Sequence, residues 1–403
     1  MLDFTEEQKL AQQAIRAFCK ERIEPKVLAM ESGDLSPYPV MKELATAFGI
    51  PEMAKARIEK AKSRLSGSGA KDASGGGGGV GALTNILMME LSRTCPGFAL
   101  AFGASIGLFG SSILGRGTIE QKEKYALPVF AFDKIGAWGL TEPGAGSDAF
   151  GSMKTRARAD GNGFRITGQK TFIPNAPYAD YFVIYAKMDE QSGDGAPAPV
   201  RSFIVERADA GVHTGPPMKK MGMHASPTGE IFLDDVFVPE DRVLGGKSAE
   251  NARSAAKSSL VAERFAMVPM LYGMVDRCLE ESLRYAKERE QWGQPIASFQ
   301  LVQEKIAKIY TATTLMKILL FRQMEAEQTK TELTVEEASA AKLYCARTTT
   351  ECALEAVQLM GGAGYMTGSV VEMMARDAKL FQIGGGTDEI QILRIAKELL
   401  GHA

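Results

Sequence analysis

The 403-residue chain has little net charge, few histidines and no paired-cysteine motif, and each shortage removes a class of function. Forty-seven Lys and Arg residues against 49 Asp and Glu leave a formal net charge of -2. That balance supplies no cationic excess for phosphate contacts along a nucleic acid. The three histidines, His213, His224 and His402, lie far apart in sequence, so no metal centre and no histidine relay is expected. Five cysteines, Cys19, Cys95, Cys278, Cys345 and Cys352, are odd in number and lack Cys-x-x-Cys spacing, which reads as buried thiols in a reducing compartment. The N-terminus lacks the basic-then-apolar order of a signal peptide, and no apolar run reads as long enough to span a membrane. A cytoplasmic location is the expectation.

A chain of this length suits two or three packed units with a large core. Thr5-Glu6-Glu7-Gln8, Thr118-Ile119-Glu120-Gln121 and Thr334-Val335-Glu336-Glu337 each have capping-box spacing and predict helix starts. Helical periodicity covers most of the first 135 residues, broken by a Gly/Ser-rich stretch at 66–79. No Gly-Lys-Ser/Thr closes that stretch, so it predicts a flexible surface insertion rather than a phosphate loop. From Trp138 the period turns to alternation, and Asp160-Gly161-Asn162-Gly163 between the runs Lys154 to Ala159 and Phe164 to Thr167 is a hairpin signal. After about Gly245 the helical period returns, with long segments near 254–289, 299–328, 335–360 and 387–400. The expected class is α+β. It comprises an N-terminal helical domain (1–136), a middle β barrel or sandwich (137–245) and a C-terminal four-helix bundle (246–403).

Candidate chemistry concentrates at 136–148, where a flat indole (Trp138), hydroxyls (Thr141, Ser147) and the turn Glu142-Pro143-Gly144 occur together. Small residues there expose backbone N–H groups to a planar, anionic ligand. Leu140-Thr141-Glu142-Pro143 followed by Ala145-Gly146-Ser147-Asp148 resembles the flavin-binding signature of the acyl-CoA dehydrogenases. Further motifs carry the resemblance along the chain. Lys170-Thr171-Phe172-Ile173-Pro174-Asn175 resembles the second flavin contact, where the family sets an aromatic against the ring and a threonine two places later on N5. Here that later position is Pro174, which has neither hydroxyl nor N–H to offer. The segment from Met221 to Pro239 resembles the border of the CoA channel, with His224 where arginine is usual and Ser226 and Thr228 as candidate polar contacts.

Arg289-Glu290-Gln291-Trp292, with Phe299-Gln300, resembles the segment that reaches another protomer's FAD, a role suited to arginine's bidentate fork on phosphate. Gln358-Leu359-Met360-Gly361-Gly362 resembles its complement. The resemblance therefore implies FAD contacts at Trp138, Leu140, Thr141, Ser147, Phe172, Arg289, Gln291, Trp292, Gln300, Gln358, Gly361, Gly362, Thr387 and Glu389.

Oxidation of a saturated thioester to its enoyl form requires a carboxylate to remove the α proton. Many family members carry it in a Tyr-Glu-Gly-Thr loop, but the corresponding run here is Gly384-Gly385-Gly386-Thr387, so the usual glutamate is Gly385. The isovaleryl and long-chain branches place the base on a helix beside an arginine, and Val261-Ala262-Glu263-Arg264-Phe265 matches that arrangement. Glu263 is the expected base, while Asp388 and Glu389 are the other acidic candidates. Arg264, Ser147 and the Gly385 N–H are the expected substrate contacts. The resemblance implies an acyl-CoA dehydrogenase with non-covalent FAD, a homotetramer, and electron-transfer flavoprotein as acceptor. An oxygen-using oxidase and a catalytically silent FAD-binding subunit are the alternatives, and a branched, cyclic or otherwise bulky acyl group is favoured.

Overall fold

The computed structural model of the chain describes residues 3–65, 78–189, 198–246, 252–329, 331 and 333–401, and within these the side chains of all but 78–80 and 252–263. Nine helices open the described chain: α1 (Glu6–Phe18), α2 (Val27–Ser32), α3 (Tyr38–Ala47), α4 (Ile50–Leu65), α5 (Gly78–Thr94), α6 (Pro96–Gly103), α7 (Ser111–Arg116), α8 (Ile119–Gln121) and α9 (Leu127–Phe130). Thr5 and Thr118 both form complete capping boxes, as their spacing predicts. Of the glycine-rich stretch, 66–77 lies outside the described residues, whereas Gly78 and Gly79 are already inside α5 and not in a loop.

The segment Pro96–Arg116 corrects a second expectation, because it is long and apolar enough to cross a membrane by length and composition. Its Phe98, Phe102, Phe109 and Ile113 are buried among the protein's own helices and strands.

Seven strands follow: β1 (Gly136–Gly139), β2 (Arg156–Asp160), β3 (Gly163–Pro174), β4 (Tyr181–Met188), β5 (Val200–Glu206), β6 (Val212–Thr214) and β7 (Thr228–Pro239). They form one sheet ordered β1-β4-β2-β3-β7-β6, with β5 paired to β4. The β2–β3 hairpin closes with Asp160 opposite Gly163, and Gly161 takes the positive φ that the turn requires. Inward positions Phe164, Ile166, Phe182, Ile184, Phe203, Ile231 and Val236 fill the core of the sheet.

The C-terminal part contains α10 (Ala252–Glu288), a two-residue-strand hairpin β8 (Glu290–Gln291) and β9 (Gln294–Pro295), α11 (Gln300–Thr329), α12 (Val335–Met360), α13 (Gly362–Tyr365), α14 (Val370–Phe381) and α15 (Asp388–Leu400). Thr334 completes the third capping box. The N-terminal α5 packs on α10 and α11, so the helices at the two ends of the chain share a single hydrophobic core, separate from that of the sheet.

Candidate active site

The turn at 142–145 is held by a buried charge pair that the sequence reading missed. Glu142 and Ala145 exchange both backbone hydrogen bonds at 3.1 Å, closing the turn. The Glu142 carboxylate, almost fully buried, accepts from Lys170 Nζ at 2.8 Å, from the Lys154 amide at 2.6 Å and from the Thr155 amide at 3.0 Å. Lys170 also donates to the Leu140 carbonyl at 3.2 Å, and the Thr171 amide donates to the Thr141 carbonyl at 3.0 Å. One ion pair thus ties the end of β1, the approach to β2 and the middle of β3. Burial pulls the Lys170 ammonium down to about 8 against the opposing pull of Glu142. Burial works to raise Glu142, yet Lys170 and the donors around it hold that carboxyl below its ordinary range. The signal was present in the strand pattern. Phe164, Ile166 and Lys170 share the inward register of β3, and a lysine there demands a buried acid.

Two places further along, the strand changes hands. The β3–β7 pairing slips between Lys170 and Ile173, and Phe172 sits in the slip with a φ of +58°. A β-branched or bulky residue seldom adopts that backbone, which costs on the order of 1–2 kcal/mol. The bulge returns Ile173 to the core and leaves the Phe172 ring 66% exposed, beside the anchored turn. Asn175 also has a positive φ, and its side chain accepts from Tyr38 Oη at 3.0 Å and donates to the Ala101 carbonyl at 2.8 Å. That buried amide fixes the end of β3 to two N-terminal helices. Trp138 and Leu140 are buried in the cluster shared with Phe109, Phe130 and Tyr185, so their side chains form the wall behind the turn. Thr141 is half-buried and Ser147 exposed.

Seven other expected FAD positions gather where the β8–β9 hairpin meets the end of α12. Trp292 and Gly293 both take positive φ at the tip of the β8–β9 hairpin, and Trp292 is 86% exposed. Its ring meets Phe299 edge-on at 5.5 Å. Arg289, Gln291 and Gln300 are exposed on the same segment. A small cluster of Ala286, Ile296, Phe299, Leu359 and Met360 brings this hairpin against the end of α12, where Gln358, Gly361 and Gly362 are exposed. A Cβ added at Gly361 or Gly362 would meet nothing within 4 Å, which leaves that backbone open to close approach. The 138–172 group and the 289–362 group belong to separate hydrophobic clusters of the chain.

The loop between α14 and α15 and the first turn of α15 carry Gly385, Thr387, Asp388 and Glu389. Gly385 has a φ of +65°, Thr387 caps α15, and Glu389 is exposed in its first turn. Asp388 is engaged by Arg347 at 2.9 Å. Arg264 is buried on α10, whereas the Glu263 side chain lies outside the described residues. Ser226 and Thr228 are both buried, and Thr228 Oγ1 donates to the Ser226 carbonyl at 3.0 Å, so they brace the segment before β7. His224 bonds the Lys220 carbonyl at 2.8 Å and stands 3.5 Å from both Glu31 and Arg376. Next to it, buried Asp377 accepts from the Met223 amide, and burial together with Glu31 pushes its carboxyl up to about 8.

Residues 5–132, 137–236 and 253–400 match in turn the N-terminal, middle and C-terminal domains of acyl-CoA dehydrogenase. The chain belongs to the acyl-CoA dehydrogenase family. Its α+β architecture and its class as an oxidoreductase of this type agree with the sequence reading. The 3-(aryl)acrylate reductase of Clostridium sporogenes is 33% identical, over 98% of this chain and 99% of its own. The mitochondrial isovaleryl-CoA dehydrogenase of Solanum tuberosum is 35% identical, over 80% of this chain and 77% of its own. A glutaryl-CoA dehydrogenase of Mycobacterium smegmatis, solved in complex with FADH2, has a TM-score of 0.85 at 26% identity, covering 99% of this chain and 95% of that one.

Proposed function

We propose that this chain converts an acyl-CoA thioester to its trans-2-enoyl-CoA, removing the α carbon's proton and the β carbon's hydride together. FAD is the cofactor and, when bound, supplies the hydride acceptor at its N5. The observation that carries the reading is Phe172, an exposed ring on a left-handed backbone beside an anchored turn, which offers a flat apolar wall for an isoalloxazine. Thr141 and Ser147 offer hydroxyls next to that wall, and Pro174 leaves one usual hydrogen-bond donor absent. Glu263 takes the α proton. Arg264 orients that carboxylate or the substrate, and the Gly385 N–H donates to the thioester oxygen.

Arg289, Gln291, Trp292, Gln300, Gln358, Gly361 and Gly362 meet the FAD of a neighbouring protomer, a reading supported by their exposure at the end of the bundle. The assembly is a homotetramer of three-part protomers divided at 136 and 245, and electron-transfer flavoprotein receives the electrons. The relative from Solanum tuberosum supports a branched acyl group, because its name is isovaleryl-CoA dehydrogenase. The test mixes purified yellow enzyme anaerobically with a panel of acyl-CoA thioesters and follows flavin bleaching. Bleaching by a branched or otherwise bulky member is expected. Peroxide formed in air without an acceptor protein favours an oxidase, and yellow enzyme that no thioester bleaches overturns the reading in favour of a silent subunit.

A further inference from the structure

The loop from Gly384 to Thr387 has its carbonyls fastened and its amides left open. Lys342, fully buried on α12, donates from Nζ to the Gly386 carbonyl at 2.7 Å. Gln391, fully buried in the first turn of α15, donates from Nε2 to the Gly386 carbonyl at 2.8 Å and to the Gly385 carbonyl at 3.2 Å. The Asp388 carboxylate stands 4.0 Å from the Lys342 ammonium. The amides of Gly384 and Asp388 are taken by the carbonyls of Leu380 and Gln382. Those of Gly385, Gly386 and Thr387 meet no acceptor among the described residues. No peptide bond in the described chain is cis. In a trans peptide the N–H points opposite to the carbonyl before it. Carbonyls 385 and 386 are drawn toward Lys342 and Gln391, so the N–H groups of Gly386 and Thr387 point away from that pair. The loop tolerates this because Gly385 and Gly386 have φ of +65° and +92°, and a Cβ at 386 would come within 2.7 Å of Gln391 Nε2.

We propose that Lys342 and Gln391 are positioning residues: by tying back the carbonyls of Gly385 and Gly386, they turn the amides of Gly386 and Thr387 outward and hold the loop in the shape that offers its amides to the thioester oxygen as it gains charge. The proposal rests on the reading of this loop as a thioester contact. Burying an ammonium is costly unless it meets strong acceptors, and here one of those acceptors is the loop itself. Preorganised amides act where charge develops and need no rearrangement at the moment of reaction.

The test compares two ligands on the flavin-loaded enzyme, crotonyl-CoA and its thioether S-crotyl-CoA, which lacks the carbonyl oxygen, by perturbation of flavin absorbance. The wild type is expected to bind the thioester about tenfold or more tightly than the thioether, as a charge-accepting hydrogen bond implies. Lys342→Met and, separately, Gln391→Leu bring the two ligands to within about twofold of each other, and Lys342→Arg keeps the preference. A merely structural role would weaken both ligands alike. Equal weakening, or an undiminished thioester preference in both Lys342→Met and Gln391→Leu, overturns the proposal. A wild type without any thioester preference overturns the loop contact itself, and so separates failure of the functional reading from failure of the clamp.

Discussion

The turn at 141–147 and the hairpin at 289–300 are both expected to touch FAD, yet they are built in opposite ways. The first stands on a buried ion pair that ties β1, β3 and the approach to β2 together, while the second projects a tryptophan that is 86% exposed. A site half anchored and half exposed is what the proposed sharing of FAD between two copies of the chain would require: the anchored half would set the ring plane within one protomer, and the exposed half would be completed against the other.

The largest effect should come from breaking the anchored half. Glu142→Ala leaves the Lys170 ammonium buried without its partner and orphans the Lys154 and Thr155 amides, costing about 3–5 kcal/mol in urea unfolding, with loss of bound flavin. Arg289→Ala should spare the fold, changing stability by less than about 0.5 kcal/mol. Its loss should appear instead as roughly tenfold weaker FAD retention on dilution, if Arg289 makes the proposed charge-assisted phosphate contact. The smallest effect sharpens the contrast between buried carboxyls. Glu142 has a lysine at 2.8 Å, whereas the cation nearest Asp377, Arg376, stands at 3.8 Å and its carboxyl is pushed up to about 8 from 3.8. Between those two values the folded chain holds a proton that the unfolded chain has released. The folded state therefore loses stability as pH rises through about 8. Asp377→Asn, which keeps the acceptor for the Met223 amide, should reduce the fall in Tm between roughly pH 6 and 9 by about 2–4 °C.

What depends on neighbours in sequence was legible before the fold. Thr5, Thr118 and Thr334 cap helices through contacts three residues away, and the Gly161 turn needs only its own backbone. The Glu142–Lys170 pair spans 28 positions and Asn175 reaches back to Tyr38 across 137, so neither partner announces the other locally. The bulge at Phe172 is invisible to an alternating pattern, because it is the place where alternation fails. Helix α14 was not singled out, although Val371, Met374, Ala378 and Phe381 bury one face of it at helical spacing. The buried stretch 96–116 was under-read because its apolar character continues through several glycines. Gly385 was legible as a loss at the usual base position. What the sequence did not show is that its loop is clamped by Lys342 and Gln391.

The account turns on the acid that replaces the missing loop glutamate. Glu263→Gln, loaded with FAD and mixed anaerobically with whichever thioester bleaches the wild type, should bind that thioester but reduce flavin about 10²–10⁴-fold more slowly. Bleaching at the wild-type rate would contradict the assignment and require another group to take the α proton.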